Sequence, residues 1–306
     1  MSDSMEGGLL IIGNGFDLDL GLQTRYADFW DSERWKEMKE KCPEQYLIKS
    51  LEQYRITNHW FDLESGLQVG ATKLLKKIDG RFDNKNYYES YRILVRELKD
   101  HIKNQQETFT PNTNSVAEQI LHAIDSKKAI KSIYTFNYTD IIDISKRFHI
   151  SGLPPVNYIH GSLSPADDII LGIEVEDFSS IPSQLTFLIK SNNPFYHSTN
   201  LQNDLEMSGN MIFFGHSING MDFPYFKDFF SWLIDYPMKT GRKKNVTIIT
   251  YDAESEMQIK DNLRRNGIDV RSLFNKVTLN FILTKEIYKG NEMELRKLDK
   301  LKDMMS

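Results

Sequence analysis

Two kinds of apolar spacing alternate along this chain. Residues 9–13 begin with Leu9-Leu10-Ile11-Ile12, four consecutive apolar positions of which two are β-branched, as in a strand buried on both faces. The same dense, short runs return at 130–136, 156–160, 169–171, 210–214 and 246–251 and predict further strands. Between them the apolar residues recur every three or four positions, which predicts helices with one buried face. A short helix is expected over 24–30 with Thr24 as its N-cap, and others at about 139–149, 222–235 and 253–266, the last closed by Gly267. From about 285 the chain is rich in Lys and Glu and reads as solvated helix. Strands alternating with helices predict an α/β fold: a Rossmann-like, mostly parallel sheet flanked by helices.

Residues 31–128 break the alternation. They carry no strong strand pattern but four helical stripes, among them Trp35, Met38, Ile48 and Leu51, then Tyr91, Leu94, Leu98 and Ile102. This stretch is expected to be a large helical insertion within a single α/β domain spanning 1–306. Its stripes are read as core.

Composition narrows the chemistry. With 40 % apolar and 26 % charged residues in 306, the chain can bury a sizeable core and is not of the disordered class. A net charge of −5 argues against nucleic-acid binding through a general positive field. A single cysteine, Cys42, excludes an internal disulfide and an all-cysteine zinc site. No two histidines have close ligand spacing, so no metal is expected; Asp167, Asp168 and the acids of 174–177 read as solvated loop. No apolar run reaches the ~18 residues of a membrane span, and no basic segment precedes the first apolar run. A cytoplasmic location is expected.

Polar and small residues stand directly after four of the predicted strands. They are Gly13-Asn14-Gly15-Phe16-Asp17, Asn137-Tyr138-Thr139-Asp140, His160-Gly161-Ser162, and Gly215-His216-Ser217 with Asp222 beyond. Open α/β sheets bind ligands outside the carboxyl ends of their strands. A glycine-rich turn there lets the backbone come close to a neighbour, and its amides can hold a pyrophosphate. Each feature also has a plain structural reading: a β-turn at Gly13, a helix cap at Asn137, a turn at His160-Gly161. The full Gly-x-Gly-x-x-Gly fingerprint is absent because Leu18 occupies its last position. Gly215-His216-Ser217-Ile218-Asn219 is close to a serine-hydrolase elbow, but no histidine follows Ser217, as that chemistry requires.

In combination these motifs resemble a family. Gly13-Asn14-Gly15-Phe16-Asp17-Leu18, followed by Gly21-Leu22, Thr24, Tyr26 and Phe29, is similar to the opening of the AbiH family of bacterial phage abortive-infection proteins. Trp60-Phe61-Asp62-Leu63-Glu64, Phe136-Asn137-Tyr138-Thr139-Asp140, Ile159-His160-Gly161, Leu171-Gly172-Ile173 and Phe214-Gly215-His216-Ser217 with Asp222 follow in that family's order. The motif order is more distantly similar to sirtuin-like NAD-binding domains. That resemblance implies a sirtuin-like fold and NAD as substrate, with Gly13 and Gly15 at the pyrophosphate and Gly215 and Ser217 at the nucleotide. Asn14, Phe16 and His216 of the same turns are further candidates for binding it, and Asp17, Asp140 or Asp222 is expected to steady the ribose hydroxyls. His160 and Asn137 are then the catalytic residues. The four-cysteine zinc module of sirtuin deacetylases is missing, so hydrolysis of the nicotinamide N-glycosidic bond is expected rather than deacetylation. Nicotinamide leaves as a neutral base, and the transition state resembles an oxocarbenium ion. Asn137 would orient the water and His160, with an ordinary pKa of ~6.5, would accept its proton. A non-catalytic nucleotide sensor, or a metal-dependent nuclease using the acids of 60–64, are the alternatives. The implied partners are NAD and, beyond it, a second copy of the chain, a phage-derived trigger or another defence protein. Neither membrane nor nucleic acid is expected.

Overall fold

The computed structural model describes residues 7–42, 45–57, 62–75, 84–127, 129–164, 166–175, 181–235 and 243–305. Among them six strands form one all-parallel sheet: β1 (Gly8–Ile12), β2 (Ile130–Thr135), β3 (Val156–Tyr158), β4 (Asn210–Phe214), β5 (Asn245–Thr250) and β6 (Thr278–Leu283). The helices in chain order are α1 (Asn14–Leu20), α2 (Tyr26–Trp30), α3 (Glu33–Lys41), α4 (Gln45–Thr57), α5 (Leu63–Leu75), α6 (Asn84–Thr108), α7 (Val116–Lys127), α8 (Ile141–Lys146), α9 (Leu201–Met207), α10 (Lys227–Asp235), α11 (Ala253–Arg265), α12 (Val270–Lys276), α13 (Thr284–Tyr288) and α14 (Glu292–Met304). The fold is therefore α/β and Rossmann-like. The chain forms two compact units, one from 1–22, 110–159 and 198–306, the other from 23–109 and 160–197.

The first unit holds the sheet, in the order β3-β2-β1-β4-β5-β6. The chain builds outward from β1 to β3 on one side, then returns to the other side of β1 and builds outward to β6. The order thus reverses between β1 and β4. Ile12 lies opposite Thr135 of β2 and Phe214 of β4, so the segments that follow these three strands leave the sheet at one level. One sheet face is packed with aromatic rings: Phe213 meets Phe226 at 5.4 Å between centroids, and Phe229 and Phe230 of α10 complete the cluster. β6 has no counterpart among the predicted strands. Its residues alternate between exposed and half-buried before Phe281 and Ile282, as on an edge strand with one wet face, so no continuous apolar run announces it.

A buried lysine ties the lower edge of this unit. Lys244, just before β5, donates from Nζ to the carbonyl oxygens of Glu206 and Ser208, each at 2.6 Å, and lies 5.2 Å from the Trp232 ring centre. It thereby satisfies the open carbonyls at the end of α9. Burial lowers its pKa to about 8, against a smaller raising effect of Glu206. The folded value lies below the unfolded one, so between pH 8 and 10.5 this side chain binds more protons in the unfolded chain and its contribution to stability rises with pH. Urea unfolding between pH 7.5 and 10 should show a gain of up to about 3 kcal/mol that Lys244→Met lacks. Parallel pH profiles for the two proteins would refute this.

The second unit is helical. Phe29, Trp35, Tyr87 and Leu94 are buried in its core, and Trp30 stacks on Trp35 at 4.0 Å. Residues 31–128 are mostly helical where described, with a loop at 109–115, and contain no described strand; α3 to α6 belong to this unit and α7 to the first. Three local expectations change. The N-cap of α2 is Arg25, not Thr24, and the Arg25 amide donates to Asp28 Oδ2 at 2.9 Å. Residues 139–149 give only the short helix α8: Asp140 caps its start by accepting from the amides of Ile142 and Asp143, and the chain turns off it at 147–149, with His149 at φ +59. Residues 169–171 are not a strand. They are a buried loop in which the Ile170 amide donates to the His160 carbonyl, 2.8 Å, and a short apolar run alone cannot tell the two apart. Among the described residues no helix is long and apolar enough to cross a membrane.

Candidate functional site

At the carboxyl edge of the sheet in the first unit, the turns after β1 and β4 are joined backbone to backbone. Gly13 N donates to Phe214 O and Gly15 N to Gly215 O, both at 2.9 Å, and Phe16 N donates to Gly13 O. A Cβ on Gly13 would lie 2.6 Å from His216 Cα, and one on Gly15 would lie 2.7 Å from Gly215 Cα. Gly215 has φ +64, and its own Cβ would lie 2.3 Å from Phe16 N. The neighbour that these glycines admit is thus the opposite turn. The three amides of Gly13, Gly15 and Phe16 are already bonded within the chain.

A buried polar knot joins the ends of β1 and β2. Asp17, 1 % exposed, accepts from Asn137 Nδ2 and Thr139 Oγ1, each at 2.8 Å. Asn137 Nδ2 also donates to Gly13 O at 3.1 Å, and the Asn137 amide to Thr135 Oγ1. The motif after β2 therefore holds the turn after β1 in place. Asp140 accepts the Tyr158 hydroxyl at 2.9 Å, and burial followed by the Asp140 charge pushes the Tyr158 pKa up. Phe16 is buried edge-on to Phe214.

The turn after β4 is strained and ordered by its histidine. His216 Nδ1 accepts from the Ile218 amide at 3.0 Å, so in the neutral ring the proton sits on Nε2, 3.6 Å from Asp222 Oδ2. Phe136 and Phe226 flank the ring edge-on at 4.5 and 5.2 Å. Ile218 has φ +48, a rare conformation for a β-branched residue. Ser217 is exposed at this edge, and Asn14 and Asp222 are half-buried.

His160 belongs to the second unit, where it meets two residues that sequence reasoning did not bring together with it. Its Nε2 is 3.2 Å from Lys190 Nζ, and Lys190 forms a 2.9 Å ion pair with Glu64 Oε2. All three are more than nine-tenths buried. Gly172 makes the approach of Lys190 feasible: a Cβ there would lie 2.5 Å from Leu188 O and 3.1 Å from Lys190 Cγ. Ile173 N donates to Leu188 O and Lys190 N to Ile173 O, which fixes the segment carrying Lys190. Tyr91 donates to Leu171 O at 2.5 Å, and burial, then the Glu64 charge, raises its pKa. Asp62 and Glu64 of the family-like motif at 60–64 also have structural partners. Asp62 accepts from the Glu64 amide and the Ser65 hydroxyl at the start of α5, while Glu64 pairs with Lys190. Trp60 and Phe61, like Glu176 and Asp177, lie outside the described residues. Asp168 pairs with Lys99 at 2.7 Å, and Asp167 accepts from Ser162.

The structure thus gathers Gly13, Gly15, Asp17, Asn137, Gly215 and His216 at one edge of the first unit and sets His160 in the ionic cluster of the second. The family model described as bacteriophage abortive infection AbiH matches residues 9–240, well over half of the chain. The chain belongs to the AbiH family. Its role accordingly lies in abortive-infection defence against phage. The AbiH match takes in every site residue named above, from Gly13 to Asp222, and Glu64 and Lys190 with them. A search of curated proteins found no match.

Proposed function

We propose that this AbiH protein acts in abortive infection by binding NAD at the carboxyl edge of its sheet and hydrolysing the nicotinamide N-glycosidic bond. The observation that carries the reading is the strand order. It reverses between β1 and β4, the place where open α/β sheets take nucleotides, and the Gly-x-Gly and Gly-His-Ser turns end these two strands. Because the glycine amides are bonded to the opposite turn, the ligand contacts fall to the side chains beside them, with Asn14, Ser217 and Asp222 foremost. Asn137 spends its amide hydrogens on Asp17 and Gly13, so it would meet the attacking water through Oδ1. His160 would take the proton. Water attack on C1′ of the ribose forms the new C–O bond as the C–N bond breaks, and the bond electrons neutralise the departing pyridinium.

Incubating the purified protein with NAD and measuring released nicotinamide tests this. His160→Ala should lower turnover by ~10²–10⁴ while leaving NAD affinity largely intact, since a base acts only as water attacks. Normal turnover by His160→Ala would remove His160 from the mechanism. A second reading, nucleotide binding without hydrolysis, is favoured by one observation: Lys190 already occupies His160 Nε2. Binding of NAD with no nicotinamide released would support it, and absence of binding would refute both readings.

A further inference from the structure

The cluster of Glu64, Lys190 and His160 constrains where the histidine carries its proton. An ammonium group has three donors and no acceptor. The 2.9 Å pair with Glu64 keeps Lys190 in that form, since a buried carboxylate beside it favours the charge. At 3.2 Å from Lys190 Nζ, His160 Nε2 can then only accept. A neutral ring that accepts at Nε2 carries its hydrogen on Nδ1. The nitrogen able to take a proton is therefore the one that Lys190 covers. Lys190 holds Nε2 and the Glu64 carboxylate at the same time, so its pair with Glu64 does not depend on the histidine. Gly172 is what permits the arrangement: any side chain there would push away the backbone that carries Lys190.

We propose that Lys190 is a positioning residue that holds His160 in the Nδ1–H form and masks its basic nitrogen, so that proton acceptance requires Lys190 to withdraw onto Glu64. This deepens the NAD reading and rests on it for the reaction, but the state of the ring can be measured without any substrate.

The test is ¹⁵N and ¹³C NMR of the imidazole in the full chain, together with nicotinamide release. His160 in the unsubstituted protein should show the Nδ1–H signature. Lys190→Met alone strands a buried carboxylate and risks misfolding, so the informative protein is Lys190→Met with Glu64→Gln. There the ring should revert to Nε2–H, the form histidine favours in water. Nicotinamide release should rise by roughly 10-fold or more, within the ~10²–10⁴ that a general base can contribute. An Nε2–H signature in the unsubstituted protein, or an unchanged ring in the double variant, overturns the proposal. Release that is unchanged or lower in the double variant, from a protein that does hydrolyse NAD, overturns the masking. Ring signatures as expected, with no nicotinamide from either protein, support the positioning role and overturn the NAD reading instead.

Discussion

Gly215→Ala should destabilise the first unit by about 3–6 kcal/mol, a large share of the ~5–15 kcal/mol by which folded domains are ordinarily stable. Three effects add. A residue with a Cβ costs ~1–2 kcal/mol at the φ of +64 that Gly215 adopts. The new Cβ would sit 2.3 Å from Phe16 N, backbone that cannot step aside without parting the turns after β1 and β4, and overpacking of this kind costs ~1–3 kcal/mol. Parting those turns also lengthens the Gly15 N to Gly215 O bond, worth ~1 kcal/mol. Gly267→Ala is the control. It has φ +84 but nothing within 4 Å of the added atom, so it should cost only the conformational ~1–2 kcal/mol. Urea unfolding of the two variants separates the effects, and equal losses would show that the contact between turns contributes nothing. By the same geometry Gly15→Val is a poor probe of nucleotide binding. Its Cβ meets Gly215 Cα at 2.7 Å, so the turn would be disturbed before any ligand was approached.

The contrast between those two glycines shows what a sequence can and cannot convey. The runs at 9–13, 130–136 and 210–214 were legible as strands because central parallel strands are buried on both faces and need apolar residues at every position. β6 was not, because an edge strand needs only half of them. The run at 169–171 misled for the opposite reason: Ile169, Ile170 and Leu171 are buried, but in a loop closed on His160. At the site, the motif residues were visible as residue types and their mutual relations were not. That Gly13 and Gly15 serve contact with Gly215 and His216, and that Asn137 serves Asp17, depends on pairing of segments some 120 to 200 positions apart. Lys190 was the least legible. A lysine is ordinarily solvated, and nothing local to Phe187-Leu188-Ile189-Lys190 names Glu64 as its partner.

Lys190→Met should destabilise the second unit by about 3–5 kcal/mol, the usual cost of leaving one charge of a buried pair uncompensated. Glu64 is 6 % exposed, so its carboxylate loses its charge partner where bulk water cannot replace it, and it must take up a proton or unfold its surroundings. Glu64→Gln should cost less. An amide keeps an acceptor for Lys190, and the ammonium retains His160 Nε2 as a second one. The double variant should then be more stable than Lys190→Met alone, because the stranded charge is gone. It will not reach the stability of the original protein, since His160 Nε2 loses its bond to Lys190, a loss of ~1–3 kcal/mol for a buried polar group. A double-mutant cycle by urea unfolding reads these terms directly, and the coupling between the two substitutions should be of the order of 2 kcal/mol or more. Additive losses would mean that Lys190 and Glu64 do not depend on one another for their charge. The lysine would then not be held as an obligate donor, and the constraint on the His160 ring would go with it.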